Sequence, residues 1–280
     1  MKSLIAFVLI CFFSIQIGAK PVSEKDKNAL LAFYYAANGN DWKIKWDLSK
    51  PVTNWHGVEI EDGKIIGISL ADNNLNGQIP EAFFDLTNLV AIDLHKNKLE
   101  GNLASSVGNL KELEVLNLSQ NKLSGRIPTA ISELIKLKDL ELFKNDFTGE
   151  LPTQIGKLKQ LEILVLSNNQ IQGVLPVSIY KMDHLRVLLL NGNKLSGSLN
   201  SEIANFAVLQ NLSLFDNNFE GEIPKELEKL ADLSEINLSY NKFSGQVSRN
   251  LALLDALNMT MLDKSGNPFL LEIHEENKLQ

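Results

Sequence analysis

The sequence predicts an α/β repeat solenoid: a horseshoe or twisted superhelix with a parallel β-sheet on the concave face and short 3-10 or helical returns on the convex side. Residues recurring every 24 positions predict it, because a fixed period of this length is typical of stacked coils. Glycine recurs from Gly77 to Gly245, and Leu, Ile or Phe recurs from Leu75 to Phe243. Asparagine recurs at Asn73, Asn97, Asn121, Asn145, Asn169, Asn193, Asn217 and Asn241.

The first half of each coil is a strand followed by an inward turn. In one coil, Leu116 and Leu118 alternate with Asn117, which is the pattern of a strand with one buried face. Asn121 follows where the chain must turn inward. A buried asparagine can bond backbone groups of its own coil and of the neighbouring one. The asparagine column therefore predicts a hydrogen-bonded structural ladder.

The second half of each coil returns the chain to the next strand. Gly125 suits a backbone conformation or a close approach that a Cβ would prevent. Pro128 fixes φ at the start of a segment in which Ile131, Leu134 and Leu137 recur every three residues. No coil can bury its apolar edge alone, so the coils are expected to stack.

The pattern L-x-x-L-x-L-x-x-N-x-L-x-G-x-I-P resembles the plant-type leucine-rich repeat of receptor-kinase ectodomains and polygalacturonase-inhibiting proteins. It covers residues 63–249 as eight 24-residue units. The resemblance implies an added short strand near the Gly-x-Ile-Pro segment. Ala104, Asn200 and Ser248 replace the proline in three coils, where we expect local loosening.

The N-terminal segment, residues 1–19, has the features of a secretory signal peptide. Lys2 supplies a positive start, and residues 4–17 are almost wholly apolar. About 14 apolar residues are too few to span a ~30 Å hydrocarbon core, although a retained anchor is the alternative. We expect cleavage near Ala19, which gives a secreted or cell-surface-associated protein. Cleavage would also remove Cys11, the only cysteine.

Two caps are expected to close the solenoid. The N-terminal cap, residues 20–62, contains a predicted helix over residues 25–37. Its Trp55 and Gly57 are similar to the family cap motif C-x-W-x-G-V-x-C, but Thr53 and Ile60 stand at the cysteine positions, which implies a cap without a disulfide. At the other end, residues 250–280 are interpreted as a degraded ninth repeat and a C-terminal cap. Its predicted strand covers residues 257–262.

Charge excludes several classes of partner. Residues 20–280 contain 26 basic and 34 acidic groups, because only Lys2 is lost from the 27 basic groups of the whole chain. The resulting negative charge argues against nucleic acids and anionic membranes. No apolar run beyond residue 20 approaches spanning length, so no membrane span is expected in the mature chain.

No catalytic, cofactor-binding or metal site is predicted. The four histidines are expected in four different parts of the fold, so they cannot converge on one metal ion or form a triad. The glycines recur singly and form no phosphate-binding loop. The histidines are His56, His95, His184 and His274.

The outward positions of the concave strands are free to serve binding, because the leucine core does not need them. They place an apolar group in the middle of the solenoid beside two acids. Exposed apolar surface often marks an interface, although β-propensity alone can place such residues on strands. The candidate partner-binding residues are Asp139, Glu141, Phe143, Ile163, Val165, Val187, Leu189 and Phe215.

The sequence therefore favours a secreted, non-enzymatic recognition protein that binds a partner, with an extracellular protein the first expectation, through its concave face and without a cofactor. One alternative, from the resemblance, is an inhibitor or binder of cell-wall polysaccharide machinery, with a carbohydrate or a wall-degrading enzyme as partner. Another is a surface scaffold or adhesin.

Overall fold

The structure, a computed structural model, describes residues 20–274. The expected signal peptide at 1–19 and the last residues, 275–280, lie outside this range. The described chain is a solenoid of stacked coils, each with a strand, an inward turn, a second short strand and a 3-10 return. The predicted fold class is confirmed. Within the described range, no helix combines the length and apolar character needed to cross a membrane.

The concave sheet has nine strands, and strands are numbered in chain order throughout. All neighbours pair in parallel except the first two, which form an antiparallel hairpin. Between the outward positions each strand from β4 onward has one buried Leu or Ile, and each of these strands is three residues long. The strands are β1 (Val58–Glu61), β2 (Lys64–Ser69), β4 (Ala91–Asp93), β6 (Val115–Asn117), β8 (Asp139–Glu141), β10 (Ile163–Val165), β12 (Val187–Leu189), β14 (Asn211–Ser213) and β16 (Glu235–Asn237).

A second parallel sheet of eight strands contains the glycine column from Gly77 to Gly221, where the resemblance implied an added strand. Gly125 has φ +76°, and a Cβ there would lie 2.4 Å from Oδ1 of Asn102 on the preceding coil. Both facts favour glycine at this close approach. The strands are β3 (Asn76–Gly77), β5 (Lys98–Asn102), β7 (Lys122–Arg126), β9 (Asp146–Gly149), β11 (Gln170–Val174), β13 (Lys194–Gly197), β15 (Asn218–Glu222) and β17 (Lys242–Ser244).

The convex returns are short 3-10 helices, as predicted. They span Glu81–Asp85, Ser105–Asn109, Thr129–Glu133, Ile155–Lys157, Val177–Lys181, Ser201–Asn205 and Lys225–Lys229, with two more in the N-terminal cap at Gly39–Asp41 and Val52–Asn54.

The local loosening expected where proline is replaced is wrong. Ala104 has φ −67° and ψ 150°, close to the −72° and 154° of Pro80. Asn200 caps its return by accepting a bond from the N–H of Glu202 at 2.8 Å, and Ser248 caps a helix. Stacking and capping therefore set this backbone conformation without the proline ring.

The N-terminal cap is built on α1 (Glu24–Ala36), which begins where Ser23 accepts a bond from the N–H of Asp26. An aromatic cluster packs behind it: the rings of Trp46 and Trp55 stack with centroids 4.8 Å apart. The cap joins the first coil through Asn73, whose side chain bonds both the N–H and the carbonyl of Ile44.

The C-terminal cap consists of β18 (Gln246–Ser248), α2 (Arg249–Leu254), β19 (Thr260–Leu262), β20 (Pro268–Leu270) and β21 (Glu272–His274). The segment expected to form a ninth strand contains β19. This strand pairs antiparallel with β20 and does not extend the concave sheet.

Asp255 ends the concave sheet beside β16. This buried side chain accepts bonds from the N–H of Leu238 at 2.8 Å and from the hydroxyl of Ser239 at 3.0 Å. It satisfies donors that another coil would otherwise bond, and therefore closes this end of the solenoid.

Candidate functional site

The asparagine column forms hydrogen bonds that link neighbouring coils. The amide nitrogen of Asn169 donates to the carbonyls of Leu142 and Leu166, both at 3.0 Å. Its Oδ1 accepts from the N–H of Phe147 at 3.0 Å. Leu166 belongs to its own coil, whereas Leu142 and Phe147 belong to the preceding one. One side chain therefore satisfies three backbone groups in two coils.

Burial varies along this column. Asn73, Asn145, Asn169, Asn193, Asn217 and Asn241 are buried. Asn97 and Asn121 are half-buried, yet they make the equivalent bonds: Asn121, for example, accepts from the N–H of Leu99 at 2.9 Å. The column holds the coils in register and so fixes the spacing of the side chains on the concave face.

Four of the candidate residues form one apolar surface on two adjacent strands, which we call the concave patch: Ile163, Val165, Val187 and Leu189. Parallel pairing sets Ile163 beside Val187 and Val165 beside Leu189. Strands in a sheet lie about 4.8 Å apart, so the four side chains are in contact range. All four are half-buried and alternate with fully buried leucines.

The acidic pair, Asp139 and Glu141, borders the concave patch on the N-terminal side. Asp139 pairs with Ile163, and Glu141 pairs with Val165. On the other side, Val187 pairs with a polar residue, Asn211. The concave surface therefore changes from acidic to apolar to polar along the stack.

Burial gives the acidic pair unusual proton affinity. It raises the pKa of Asp139 to about 7, with further contributions from the charges of Glu141, Asp93 and Glu162. The pKa of Glu141 is also raised, first by burial and then by Asp93, while His95 opposes the change. Oδ1 of Asp139 is buried without a hydrogen-bond partner in the described chain. A carboxyl with a raised pKa and a buried oxygen without a hydrogen-bond partner is a candidate functional group.

We expect Asp139→Asn to stabilise the protein at pH 8 and to leave stability unchanged at pH 4. A raised pKa means that the folded state favours the protonated carboxyl, so wild-type stability is lost as pH rises from about 4 through about 7. Each pKa unit corresponds to about 1.4 kcal/mol, and solvent screening of the exposed part leaves a gain of about 2 kcal/mol. Denaturant melts at pH 4 and pH 8 measure this gain in the free energy of unfolding. The exposed Asp146→Asn is the control. A gain independent of pH would refute this account.

The two candidate phenylalanines do not lie side by side. Phe143 and Phe215 occupy the same column three coils apart, and Ser167 and Asn191 lie between them, joined by a 2.6 Å hydrogen bond. Phe215 instead contacts Tyr240, with ring centroids 5.2 Å apart in a T-shaped arrangement. Phe143 thus belongs to the acidic side of the face, and Phe215 to its C-terminal end.

The structure adds a cavity that the repeat pattern did not predict. It has a volume of about 270 Å³ and is bordered by Leu189, Ser213 and Glu235 of the concave face and by Leu254 and Ala256 of the C-terminal cap. The cap residues lie outside the 24-residue register, so the repeat alone could not place them. The cavity extends the apolar patch toward the C-terminal end.

The backbone of Tyr240 adopts a conformation that the sequence did not predict. Its φ is +58°, a left-handed conformation that is rare for a bulky residue. The equivalent positions of earlier coils hold Lys144, Asn168, Gly192 and Asp216. An exposed tyrosine therefore occupies a left-handed backbone position that disfavours a bulky side chain.

His95 and His184 lie in separate surroundings. His95 bonds Asp93 through Nδ1 at 2.7 Å on the second coil, whereas His184 bonds the carbonyl of Lys159 on the convex side. Within residues 20–274, no group of three or more His, Cys, Asp or Glu side chains is placed to hold a metal ion.

Comparison with known proteins defines the class. A family model described as a leucine-rich repeat region matches residues 115–264, which is more than half of the chain. The chain belongs to the leucine-rich-repeat family.

Solved structures similar to this chain include a hormone receptor and a protein of another activity. The plant peptide hormone receptor RGFR1, in complex with RGF2, is 29% identical with a TM-score of 0.65, over 74% of this chain and 32% of that chain. PEPR1, in the PEPR1–AtPEP1 structure, is 25% identical with a TM-score of 0.71, over 90% and 42% respectively. A plant ice-binding protein is 24% identical with a TM-score of 0.64, over 91% and 99%.

These matches differ in identity and in the share of the compared chain that they cover. The chain spans about a third of the length of the RGFR1 chain and less than half of that of PEPR1. The ice-binding protein matches over nearly its whole length, but at this identity it shows the fold alone. The shared feature is a leucine-rich-repeat solenoid of the type found in plant receptor ectodomains.

Proposed function

We propose that this chain is a secreted, non-enzymatic recognition protein that binds a protein partner through its concave face. The single observation that carries the proposal is the concave patch, four adjoining apolar side chains held half-exposed between acidic and polar borders. Two proteins of similar structure were solved with RGF2 and AtPEP1, and the first of them, RGFR1, is a peptide hormone receptor. They support a protein or peptide as the partner here.

The size and chemistry of the concave patch suit an apolar segment of a partner. Full burial of an aliphatic side chain contributes roughly 1.5–3 kcal/mol, and association costs about 4–15 kcal/mol. Four half-buried side chains therefore need added anchors, which large desolvated aromatic rings supply. Phe143 and Phe215 extend the surface at its two ends for this role.

The acidic pair is proposed to orient the partner more than to strengthen its binding. Charged groups at an interface chiefly steer encounters and exclude wrong partners. A partner with a basic residue next to an apolar segment would match Asp139 and Glu141 beside Ile163 and Val165. The same negative charge disfavours an anionic wall polysaccharide on this face.

Side-chain footprinting tests the proposal. The immobilised protein is used to capture its partner from exported proteins of the source organism, and hydroxyl-radical labelling is then compared with and without the captured protein. We expect reduced labelling of Val187, Leu189 and Phe215 in the complex. Val174 and Val177 should stay labelled, because they are exposed outside the concave sheet. Protection confined to these two residues would contradict concave binding.

A further inference from the structure

The cavity at the C-terminal end of the concave face lies where one further residue pair is added to the sheet. Asp255 makes a parallel bridge with Ile236 of β16. This register places Leu254 beside Glu235 and Ala256 at the next outward position, because outward residues alternate along a strand. Both cap residues are exposed. The cavity is therefore a continuation of the concave face, formed jointly by β14, β16 and the residues on either side of Asp255.

The cavity combines apolar walls with a single charge. Leu189 of β12 and Leu254 of the cap border it at opposite ends of this row of strands. Of the residues that line it in the described chain, Glu235 alone is ionisable. Ser213 and Asn237 add oxygens that can accept hydrogen bonds. A ligand group with an apolar stem and a positively charged donor end is complementary to these walls.

The carboxylate of Glu235 is positioned by a hydrogen bond but has no cationic partner. Its Oε2 accepts a bond from the side-chain amide of Asn211 at 2.8 Å. None of the ion pairs among the described residues includes Glu235. Glu162, just before β10, differs in this respect, because it lies 3.7 Å from Arg186 of the next coil. A carboxylate has about four lone-pair sites, so Glu235 can accept further bonds from a cation.

The volume of the cavity suits one side chain of a partner. It is about 270 Å³, whereas pockets that enclose drug-sized ligands have roughly 300–1,000 Å³. The methylenes of an arginine can lie along apolar surface while its charged end reaches polar groups. Its guanidinium has several donors in a rigid plane and pairs well with a carboxylate, whereas a lysine supplies one compact charge. The several acceptors around Glu235 therefore favour arginine.

We propose that this cavity binds an arginine side chain of the partner, with the guanidinium on the carboxylate of Glu235 and the methylenes between Leu189 and Leu254. The inference rests on the proposed function, because it names a residue that the partner would place next to the concave patch. Leu189 borders both surfaces. β12 and β16 are separated by β14, which makes them about 10 Å apart. In an extended segment, the arginine would therefore lie about three residues from the apolar residue on the concave patch.

A single arginine tests the cavity without the partner. The probe is N-acetylarginine N-methylamide, titrated into the isotopically labelled protein while the backbone amide NMR signals are recorded. We expect a dissociation constant on the order of 1–10 mM, with signal shifts at Ser213, Asn237 and Ala256. The citrulline analogue of the probe has nearly the same shape but no charge. It should bind at least about tenfold more weakly.

Two variants and a matched control locate the binding. Glu235→Gln keeps an acceptor for Asn211 but removes the charge, so it should weaken binding of the arginine probe at least about tenfold and abolish the preference over citrulline. Ala256→Phe fills the cavity from an exposed position and should prevent binding of both probes. Glu220→Gln removes an exposed acid from β15 of the second sheet and should bind like wild type. Far-ultraviolet circular dichroism of each variant establishes folding.

Equal affinity of the wild type for the arginine and citrulline probes would overturn the inference, as would arginine binding that Glu235→Gln leaves unchanged. Signal shifts confined to Asp139 and Glu141 would also contradict it, because the acidic pair would then be the arginine site. These measurements need no captured partner. Failure of the cavity is therefore distinct from failure of concave recognition, which partner binding by Val165→Asp with Leu189→Asp decides.

Discussion

Replacing Asn169 with alanine is expected to lower the free energy of unfolding by about 3 kcal/mol or more. The side chain satisfies two carbonyls and one N–H, and each buried group left without a partner costs about 1–3 kcal/mol. The loss affects two coils at once, because the bonds cross from one coil to the preceding one. In a solenoid the interface between neighbouring coils is a principal source of stability.

The neighbouring residue provides the control. Asn168 is exposed and has φ +56°, so Asn168→Gly removes its amide without forcing a Cβ into the left-handed region. We expect a change within about 0.5 kcal/mol. Urea melts compare the two variants. Equal losses would mean that the asparagine column does not hold the coils together.

The repeat register explains how much of the fold could be predicted from sequence. Each asparagine, leucine and glycine has a mechanical role that is the same in every coil, so the 24-residue period was enough to predict stacked coils of a strand, a turn and a short helical return. The parallel sheet and the second strand were implied by the resemblance to the plant-type repeat. The outward concave positions could be read from the same register, because strand alternation determines which side chains lie on that face.

The features that the sequence did not reveal depend on contacts outside the register. Asp255 lies 17 residues beyond Leu238, and only the folded cap brings it to the last strand. The cavity beside Leu254 also forms only when the folded cap meets the concave strands. The high pKa of Asp139 could not be predicted because it follows from burial and from charges on several coils. The separation of Phe143 from Phe215 was implicit in the period, but contact between Phe215 and Tyr240 was not.

The double change Val165→Asp with Leu189→Asp is expected to weaken partner binding at least about 100-fold, equal to about 2.7 kcal/mol. The two positions are paired on adjacent strands at the centre of the concave patch. A carboxylate buried there by a partner would lose its hydration without gaining a counter-charge. The carboxylate introduced in place of Val165 would also lie beside Glu141, so repulsion would add to the loss.

The fold is expected to tolerate these changes, because both side chains are half-exposed and the leucines between them hold the core. A neutral version, Val165→Thr with Val187→Thr, avoids the repulsion with Glu141 and should weaken binding about tenfold. Melting temperatures of both variants establish that lost binding does not reflect unfolding.

The most direct test of concave recognition is the dissociation constant of the captured partner, measured for three folded proteins. They are wild type, Val165→Asp with Leu189→Asp, and the control Val174→Asp with Val177→Asp, whose residues are 61% and 56% exposed away from the concave sheet. Concave recognition predicts that the control binds like wild type while the first variant loses at least about 100-fold in affinity. Equal binding by all three proteins, or loss in the control alone, would contradict it.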